Sequence, residues 1–309
     1  MKSILLTGSS GFIGKNLLEL LKKDKIDVFT PSSKEFDLTK EVDVDRLYKQ
    51  RDFNCVIHLA ADVGGIKLIK ANQGRIYYNN VMMNTLLMEK ARINKINKYI
   101  SLNTINCYPE SNGILDENQI WNGFPNKETY SYGISKRMSL VQSLAFKDQY
   151  DFDSTNLIID NTYGPHDNFD LNNSRVIPAL IRKFHDALQN NKSSVEVWGT
   201  GNSVRQFLYV EDLVKIIKLF IDNDIENCIL NISNGQKVSI RELVENISSI
   251  LKFNGDIIYD SSKPEGASVR LMDNSKMKNT INYNSFDLIN NGLKKTIEWY
   301  ISTKKNENK

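Results

Sequence analysis

A tyrosine and a lysine four residues apart could together transfer a proton. Tyr132 and Lys136, in Tyr132-Gly-Ile-Ser-Lys136, are predicted to be neighbours on one face of a helix. A free tyrosine has a pKa of about 10, and a nearby ammonium group favours the phenolate and lowers that pKa. Thr104, at the carboxyl end of a predicted strand, could donate a hydrogen bond to a substrate carbonyl. A Tyr–Lys pair on the protein surface and a threonine in a loop would have the same local sequence. The surrounding elements must therefore show whether these residues form a catalytic site.

Three glycines in the spacing GxxGxxG join the first predicted strand to the first predicted helix. Gly8 permits a tight turn, Gly11 lets the backbone approach a pyrophosphate, and Gly14 lets the helix pack close to the strand. The N-terminus of the helix adds unpaired N–H groups and a partial positive charge. This context predicts a dinucleotide site. The residues expected to contact the cofactor are Gly8, Ser9, Ser10, Gly11, Phe12, Ile13 and Gly14.

The end of the second predicted strand indicates which dinucleotide binds. An acidic side chain there would bind the ribose 2′-hydroxyl of NAD. Asp27 instead lies at the start of this strand, as an expected exposed edge residue, and Ser32, Ser33 and Lys34 follow the strand. Hydroxyl groups and a lysine suit a 2′-phosphate better, so the sequence favours NADP(H) over NAD.

Apolar strands alternate with amphipathic helices over the first half of the chain. Strands are predicted at residues 3–7, 26–30, 55–61 and 99–102. Helices are predicted after the glycine turn, at 42–50, within 75–93, and from 131 to about 150. This alternation is typical of a parallel sheet with helices on both faces. We therefore predict an α/β fold with a Rossmann-type doubly wound parallel sheet.

The pattern changes after residue 160. A polar loop is predicted at 163–174, helices at 176–189, from 211 and at 239–251, and strands at 195–198 and 256–259. We predict that residues 1–160 form the NADP-binding domain and that 161–309 form mainly a smaller mixed α/β substrate-binding domain. Some of the late elements are expected to return to the first sheet, and residues 304–309 to be a frayed tail.

The composition excludes several other classes of protein. With 309 residues, 40% of them hydrophobic, and a net charge of +3, the chain can bury a large core. It has no basic excess that would indicate nucleic acid or an anionic membrane as its main partner. No stretch approaches the roughly 18 apolar residues of a membrane span, and no signal-peptide core is visible. Three cysteines and three histidines predict neither a disulfide framework nor a metal site. The expected location is cytoplasmic.

Several further segments, in order along the chain, carry a resemblance to one family. They are His58-Leu-Ala-Ala-Asp-Val-Gly-Gly-Ile66, Tyr163-Gly-Pro-His-Asp-Asn-Phe169, Val176-Ile-Pro-Ala-Leu180, Val197-Trp-Gly199, Arg205-Gln-Phe-Leu208 and Ser262-Lys-Pro-Glu-Gly266. With the glycine turn and the Tyr–Lys pair, they make the sequence similar to the extended short-chain dehydrogenase/reductases over nearly its whole length. More narrowly, it resembles the GDP-L-fucose synthase family, whose members are NADPH-dependent enzymes acting on GDP-4-keto-6-deoxymannose.

The resemblance implies a role for each matching residue. Thr104, Tyr132 and Lys136 would form the catalytic triad, and the latter two would also contact the cofactor. Further residues implied at the cofactor are Asp37, Leu38, Leu59, Ala60, Ala61 and Asn161. Those expected at the GDP-linked 4-keto sugar are Thr104, Asn106, Asn161, Arg175, Val176, Lys183, Trp198 and Arg205. The helices within 75–93 and at 131–150 resemble those that form a homodimer interface in this superfamily.

The chain departs from the family where protons are moved on the sugar ring. Members that epimerise at C3 and C5 use a cysteine two residues after the triad hydroxyl and a histidine before Val-Ile-Pro, where this chain has Asn106 and Arg175. A carboxamide has no usable acid–base pKa, and a guanidinium stays protonated. Cys107 is expected to point away from the site in an extended chain, and neither His166 nor His185 is an obvious replacement.

These departures predict a C4 reductase without epimerase activity. Its preferred substrate would be a GDP-4-keto-heptose, as used for capsule or lipopolysaccharide, and otherwise a GDP-4-keto-6-deoxyhexose. The heptose choice follows from the resemblance to that branch of the family.

Several alternatives stay open. A combined epimerase and reductase is one, and a binding protein that senses NADP without catalysis is another, although such proteins commonly lack the tyrosine. A 4,6-dehydratase would be expected to carry an acidic pair beside Thr104, and none is present. A UDP-sugar 4-epimerase usually prefers NAD, which the residues after the second strand disfavour. Trp198 could equally belong to the core, and Arg205 could form a surface salt bridge.

Overall fold

The computed structural model describes residues 3–225, 228–263 and 266–307. Its strands are β1 (Ser3–Thr7), β2 (Asp27–Phe29), β3 (Cys55–His58), β4 (Lys98–Thr104), β5 (Gly113–Leu115), β6 (Ser154–Ile159), β7 (Asn161–Tyr163), β8 (Ser194–Trp198), β9 (Val204–Arg205), β10 (Phe207–Tyr209), β11 (Cys228–Ile232), β12 (Val238–Ser239), β13 (Asp256–Asp260) and β14 (Arg270–Met272). Its helices are α1 (Phe12–Lys23), α2 (Glu41–Tyr48), α3 (Ile66–Ala71), α4 (Gln73–Ile93), α5 (Tyr130–Tyr150), α6 (Val176–Gln189), α7 (Val210–Asp222), α8 (Ile240–Leu251), α9 (Ser275–Ile281) and α10 (Ile289–Glu307). Short 3₁₀ turns lie at Ile105–Cys107 and Glu117–Trp121.

Six strands form the central sheet in the order β11–β6–β4–β3–β1–β2, and every pairing is parallel. Helices cover both faces, so the strands are apolar on both sides: Ile4 and Leu6 belong to one buried cluster, and Leu5 belongs to another. Continuous apolar strands are typical of a parallel sheet buried in this way. The predicted Rossmann-type fold is confirmed.

Smaller strand pairs surround this sheet. The pairs β7–β10, β8–β13 and β5–β14 are parallel, and β9–β12 is antiparallel. The late strand β11 pairs with β6, so the chain does return to the first sheet as expected. The division between residues 160 and 161 stays a prediction.

The C-terminal helix differs from the prediction. It continues to Glu307, so the frayed tail predicted at 304–309 is wrong for 304–307, while 308–309 lie outside the described residues. Leu293, Ile297 and Tyr300 are buried at helical spacing and hold α10 on the core. Pro264 and Glu265, from the segment that resembled the family, also lie outside the described residues.

The carboxyl ends of the central strands lie at one edge of the sheet, where ligands bind in folds of this kind. Strand β4 extends two residues beyond its predicted carboxyl end, so Thr104 is its last residue. Strand β3 ends at His58, before the loop 59–65. Among the described residues, no helix has the length and apolar character that crossing a membrane requires.

Candidate active site

A cavity of about 750 Å³ opens at this edge of the sheet. The predicted site residues that line it are Gly8, Gly11, Phe12, Ile13, Gly14, Leu59, Ala61, Thr104, Asn106, Tyr132, Lys136, Asn161, Arg175 and Val176. The predicted residues outside its lining are Ser9, Ser10, Ser32, Ser33, Lys34, Asp37, Leu38, Ala60, Lys183, Trp198 and Arg205. The structure therefore brings the predicted catalytic groups and the glycine turn to one cavity.

The glycine turn has the shape that a pyrophosphate requires. Gly8 has a φ of +71°, and a Cβ there would come within 2.6 Å of the backbone nitrogen of Ala60. A Cβ on Gly14 would lie 2.1 Å from the carbonyl oxygen of Gly8, so only glycine lets α1 pack this closely. The residue before α1, Gly11, has no side chain to cap the helix, which leaves the first N–H groups available to phosphate oxygens. The cradle fits a dinucleotide.

The stretch after β2 lies on the surface. Ser32, Ser33 and Lys34 are exposed, and the hydroxyl of Ser32 accepts a hydrogen bond from the N–H of Lys34 at 3.3 Å. Asp27 is exposed at the start of the strand, as predicted, and forms an ion pair with Arg51 at 2.9 Å. Two hydroxyl groups and an ammonium group are thus exposed just after β2, and their contact with a 2′-phosphate stays a prediction.

Asp37 and Leu38, the residues implied to flank the adenine, follow this stretch. Leu38 packs in the apolar cluster that contains Leu5 and Phe36. Asp37 accepts hydrogen bonds from the hydroxyl of Thr39 at 2.7 Å and from its N–H at 3.1 Å, and these bonds lower the pKa of Asp37. Its carboxylate therefore stabilises the local turn, and a contact with adenine stays a prediction.

The three predicted catalytic residues lie deep in the cavity. Tyr132 is 8% exposed and Lys136 is 3% exposed. The ammonium group of Lys136 donates to the carbonyl oxygen of Leu102 at 2.9 Å, and burial lowers the pKa of Lys136 to about 8. Burial raises the pKa of Tyr132, and the Arg175 guanidinium opposes this effect only in part. The expectation that Lys136 lowers the tyrosine pKa is wrong for the protein alone, because burial of the phenolate raises that pKa and the positive charge that opposes it is that of Arg175.

A buried chain of hydrogen bonds positions α5, the helix that carries the tyrosine and the lysine. The two ring nitrogens of His58 lie 2.8 Å from the hydroxyl of Thr7 and 2.8 Å from Oδ1 of Asn84. Burial lowers the pKa of His58 to about 3, so the ring is neutral and donates from Nε2 to Asn84. The amide of Asn84 in turn donates to the carbonyl of Ser135 at 3.3 Å. A single histidine in a buried strand is the signal from which the sequence could have indicated this role.

Asn106 and Arg175, the two departures from the family, both line the cavity. The guanidinium of Arg175 donates to Oδ1 of Asp167 at 2.9 Å and lies 5.3 Å from the centre of the Phe12 ring. The backbone N–H of Asn106 donates to the hydroxyl of Thr104 at 3.3 Å. Their positions place an amide and a fixed cation next to the predicted proton donor.

The cysteine and the histidines near the site occupy different positions. Cys107 lies in a 3₁₀ turn rather than in extended chain, so the reason given for its direction is wrong. It is nevertheless fully buried outside the cavity lining, and its thiol donates to the carbonyl of Thr104 at 2.7 Å. His166 does line the cavity, with Nε2 3.0 Å from a carboxylate oxygen of Glu19. His185 is partly buried and lies outside the lining.

Two carboxyl groups of the cavity wall were given no role by the sequence analysis. Burial raises the pKa of Asp160 to about 7, and its two oxygens accept from the N–H of Asn161 at 2.7 Å and from the hydroxyl of Ser233 at 2.9 Å. Asp167 is also buried, and burial raises its pKa. One oxygen of Asp167 binds Arg175, and the other has no hydrogen-bond partner among the described residues. Both are candidate proton carriers.

The residues predicted at the nucleotide lie beyond the cavity. Trp198, at the end of β8, is 48% exposed, so its alternative placement in the core is wrong. The ammonium group of Lys183 lies 5.4 Å from the centre of this indole ring and donates to the carbonyl of Glu196 at 3.0 Å. About half of the Trp198 side chain is therefore open to solvent, beside the ammonium group of Lys183.

Two arginines approach each other near the end of β4. Arg205 donates to the carbonyl of Val204 at 2.8 Å, and Arg270 donates to the carbonyl of Ile105 at 2.9 Å. Burial lowers the pKa of Arg270, and the charge of Arg205 lowers it further. Two neighbouring guanidinium groups form an environment that favours an anion. Arg270 could not be identified from the sequence, because only the pairing of β14 with β5 brings it here.

Comparison with known proteins agrees with the fold. The NAD dependent epimerase/dehydratase family matches residues 4–233. A GDP-L-colitose synthase of Yersinia pseudotuberculosis is 35% identical over 98% of this chain and 99% of its own. Probable GDP-L-fucose synthase 1 of Oryza sativa subsp. japonica is 31% identical over 96% of this chain and 92% of its own. A solved GDP-mannoheptose C4 reductase of Campylobacter jejuni with NADP bound has a TM-score of 0.88 at 26% identity and covers 97% of this chain and 98% of its own.

These findings bear directly on the cofactor and the class of protein. The predicted cofactor, NADP(H), agrees with the family, with the NADP-bound structure and with the glycine cradle. The resemblance on which the site residues were assigned is also confirmed, because the relatives match over almost their whole length. The chain belongs to the NAD-dependent epimerase/dehydratase family, in the group of GDP-sugar synthases and reductases.

Proposed function

We propose that this protein reduces the 4-keto group of a GDP-linked sugar with NADPH and does not epimerise the sugar at C3 or C5. The observation that supports this most directly is one cavity lined by Thr104, Tyr132 and Lys136 together with Asn106 and Arg175. The first three suit carbonyl reduction, whereas an amide and a guanidinium cannot exchange protons near neutral pH. A GDP-4-keto-heptose is the preferred substrate, in keeping with the similar heptose C4 reductase, and a GDP-4-keto-6-deoxyhexose is the next.

Each of the three catalytic residues would have a separate role in the reduction. Bound NADPH supplies the hydride that adds to C4. Tyr132 donates a proton to the carbonyl oxygen, since burial keeps its hydroxyl protonated at neutral pH. The hydroxyl of Thr104 already accepts from the N–H of Asn106, and its own proton is free to donate to the same oxygen. Lys136, held by the carbonyl of Leu102, supplies positive charge one helical turn away for the phenolate that remains.

Asp167 is the observation that favours a second candidate, a combined epimerase and reductase. Its unpartnered oxygen could accept a proton from a ring carbon, as the epimerising relatives require. The ion pair with Arg175 opposes this role, because the guanidinium stabilises the charged carboxylate and makes it a weaker base. Asp160 is a poorer candidate, since Asn161 and Ser233 occupy both of its oxygens.

The nucleotide of the substrate would bind beyond the cavity. Arg205 and Arg270 would bind the diphosphate, together with Lys183, because guanidinium and ammonium groups suit phosphate oxygens. The half-exposed indole of Trp198 would contact the guanine base.

The test is to incubate the purified protein with NADPH and GDP-4-keto sugars in deuterium oxide. We expect one NADPH oxidised per sugar reduced, and no deuterium at C3 or C5 above a sample without enzyme, as measured by mass spectrometry. Deuterium introduced enzymatically at either carbon would overturn the reductase-only proposal, and its loss in Asp167→Asn would then identify the base.

Tyr132→Phe is the matched control for this experiment. Loss of the proton donor should lower the turnover at least about 10²-fold, while NADPH still binds. Unchanged turnover would contradict the assignment of Tyr132. NADPH binding by the unaltered protein without oxidation, whatever the keto sugar, would favour the NADP-sensing alternative.

We also infer a homodimer formed through α4 and α5, which pack against each other. The outer side of α5 exposes Met138, Val141 and Leu144, which are 42%, 44% and 42% exposed and are spaced three residues apart. Tyr78 on α4 is 57% exposed. A contiguous apolar surface of this kind is typical of a protein–protein interface.

A further inference from the structure

A lysine from the cofactor-binding half of the chain reaches the indole that is proposed to contact the nucleotide. Lys67 lies on α3, just after the loop that follows β3, and its ammonium group is 5.8 Å from the centre of the Trp198 ring. Lys183, on α6, places a second ammonium group 5.4 Å from the same centre. Two positive charges from different parts of the chain therefore face one exposed aromatic side chain.

Lys67 has no hydrogen-bond or ion-pair partner among the described residues, and the indole is its one described polar contact. Lys70, one turn later on the same helix, is different: it forms an ion pair with Glu128 at 2.7 Å. Lys183 also has a partner, because its ammonium group donates to the carbonyl of Glu196. Burial lowers the pKa of Lys183. Lys67 is thus an ammonium group with three unused donors beside an exposed ring.

Lys67 lies next to the rim of the cavity. Its neighbour Ile66, the first residue of α3, lines the cavity, and so does Val176, the first residue of α6. Lys183 lies seven residues after Val176 on the same face of α6, about 10 Å further along the helix. A Cβ on Gly65 would lie 3.0 Å from the carbonyl oxygen of Asn173, so the loop before α3 packs directly on the loop before α6. A substrate whose sugar lies at Tyr132 would extend from the cavity toward Trp198.

We propose that Lys67 determines the nucleobase specificity of this protein by donating to O6 and N7 of a guanine that stacks on Trp198. This inference rests on the proposed function. Guanine presents two acceptors on that edge, whereas adenine presents an amino donor at its 6-position. An ammonium group can donate to both acceptors of guanine, and it gains no such pair of hydrogen bonds with adenine. Stacking on an aromatic face does not distinguish guanine from adenine. The hydrogen bonds from Lys67 would therefore select guanine.

The experiment is calorimetric titration of the full chain, with NADP present, by GDP, inosine diphosphate and ADP. Inosine diphosphate retains O6 and N7 and lacks the 2-amino group, so it isolates the edge that Lys67 would contact. We expect the unaltered protein to bind GDP and inosine diphosphate at least about tenfold more tightly than ADP. Lys67→Met should weaken the first two about tenfold and leave ADP unchanged, and Lys67→Arg should restore them.

Lys70→Met is the matched control, because it removes an exposed ammonium group from the same helix, and it should bind all three nucleotides as the unaltered protein does. Equal weakening of all three by Lys67→Met would overturn the inference in favour of a phosphate contact, and no weakening would also overturn it. If the unaltered protein binds none of the three diphosphates, the proposed function fails first. Unchanged thermal unfolding of Lys67→Met shows that the variant is folded.

Discussion

Arg175 is the residue at which a fixed charge replaces a group that could move a proton. Its guanidinium lies between the carboxylate of Asp167 and the ring of Phe12. Both contacts hold the guanidinium in one place within the cavity. Its charge also opposes the rise in the pKa of Tyr132, so Arg175 would help the reduction while removing one of the two groups needed for epimerisation.

Restoring both missing groups should introduce epimerisation chemistry. We expect the double variant Asn106→Cys, Arg175→His to incorporate solvent deuterium at C3 or C5 of a GDP-4-keto-6-deoxyhexose, at least about 10²-fold faster than the unaltered protein. The measurement is mass spectrometry of the sugar after reaction in deuterium oxide. Asn106→Ala combined with Arg175→Ala is the control, because it alters the same positions and adds no titratable group. Equal exchange in the two double variants would contradict the assignment.

The lowered pKa of Lys136 leads to a prediction of how activity depends on pH. Its pKa is lowered to about 8, so the ammonium form is complete well below that pH and is lost as the pH rises through it. Tyr132, whose pKa is raised, does not titrate there. We therefore expect kcat/KM for NADPH to fall as the pH rises through about 8. Lys136→Arg keeps its charge and should lack this decrease, whatever its absolute rate; a profile of the unaltered protein that stays flat to pH 10 would contradict the prediction.

Residues that act through local spacing could be predicted, and those that act through tertiary contacts could not. Tyr132 and Lys136 are one helical turn apart, so the sequence alone brings them together. The free oxygen of Asp167 in the cavity and the approach of Lys67 on α3 to Trp198 at the end of β8 depend on contacts that only the folded chain creates. The effect of burial on the pKa of Tyr132 likewise depends on everything packed around it.

At the scale of elements, α5 approaches the end of β4 through a single glycine. A Cβ on Gly133 would lie 2.2 Å from the carbonyl oxygen of Asn106. This close contact sets the distance between the helix that carries the tyrosine and the strand that carries Thr104. A larger residue here would move one element away from the other.

Gly133→Ala should therefore lower both stability and activity. Overpacking of this kind costs about 1–3 kcal/mol, and a displaced tyrosine should reduce kcat more than it raises KM for NADPH. Thermal unfolding and steady-state kinetics measure the two effects. Gly74→Ala is the control, since a Cβ at Gly74 on α4 has no atom within 4 Å and alanine favours a helix. Equal behaviour of the two variants would show that the contact at Gly133 does not position the site.

The predicted elements were those with a strong apolar pattern. The helix from Val176 to Gln189 and the strand at β8 begin and end within a residue of the prediction, because their buried residues recur at clear intervals. Helix α10 was missed since most of its residues are polar, although Leu293, Ile297 and Tyr300 are buried and Ile289, Trp299 and Ile301 pack against the same core. The two-residue strands β9 and β12 have too few residues to show a period, and only their pairing defines them.

At the scale of the whole molecule, the exposed side of α5 predicts the assembly state. Val141→Asp should convert a dimer into a monomer, because a carboxylate in an apolar interface loses its hydration without gaining a partner. Size-exclusion chromatography with light scattering gives the mass. Val42→Asp, on the 65% exposed side chain of α2, is the control and should leave the mass unchanged. A monomeric unaltered protein would contradict the inferred homodimer.

The return of β11 to the central sheet constrains how this protein could be recombined with its relatives. Residues 228–232 complete the sheet beside β6 only after the chain has passed through α6, β8 and α7. An amino-terminal fragment that stops before residue 228 would expose the backbone edge of β6 and should aggregate. Transplanting another relative's sugar preference would consequently require at least two crossover points, one before and one after β11, rather than a single junction.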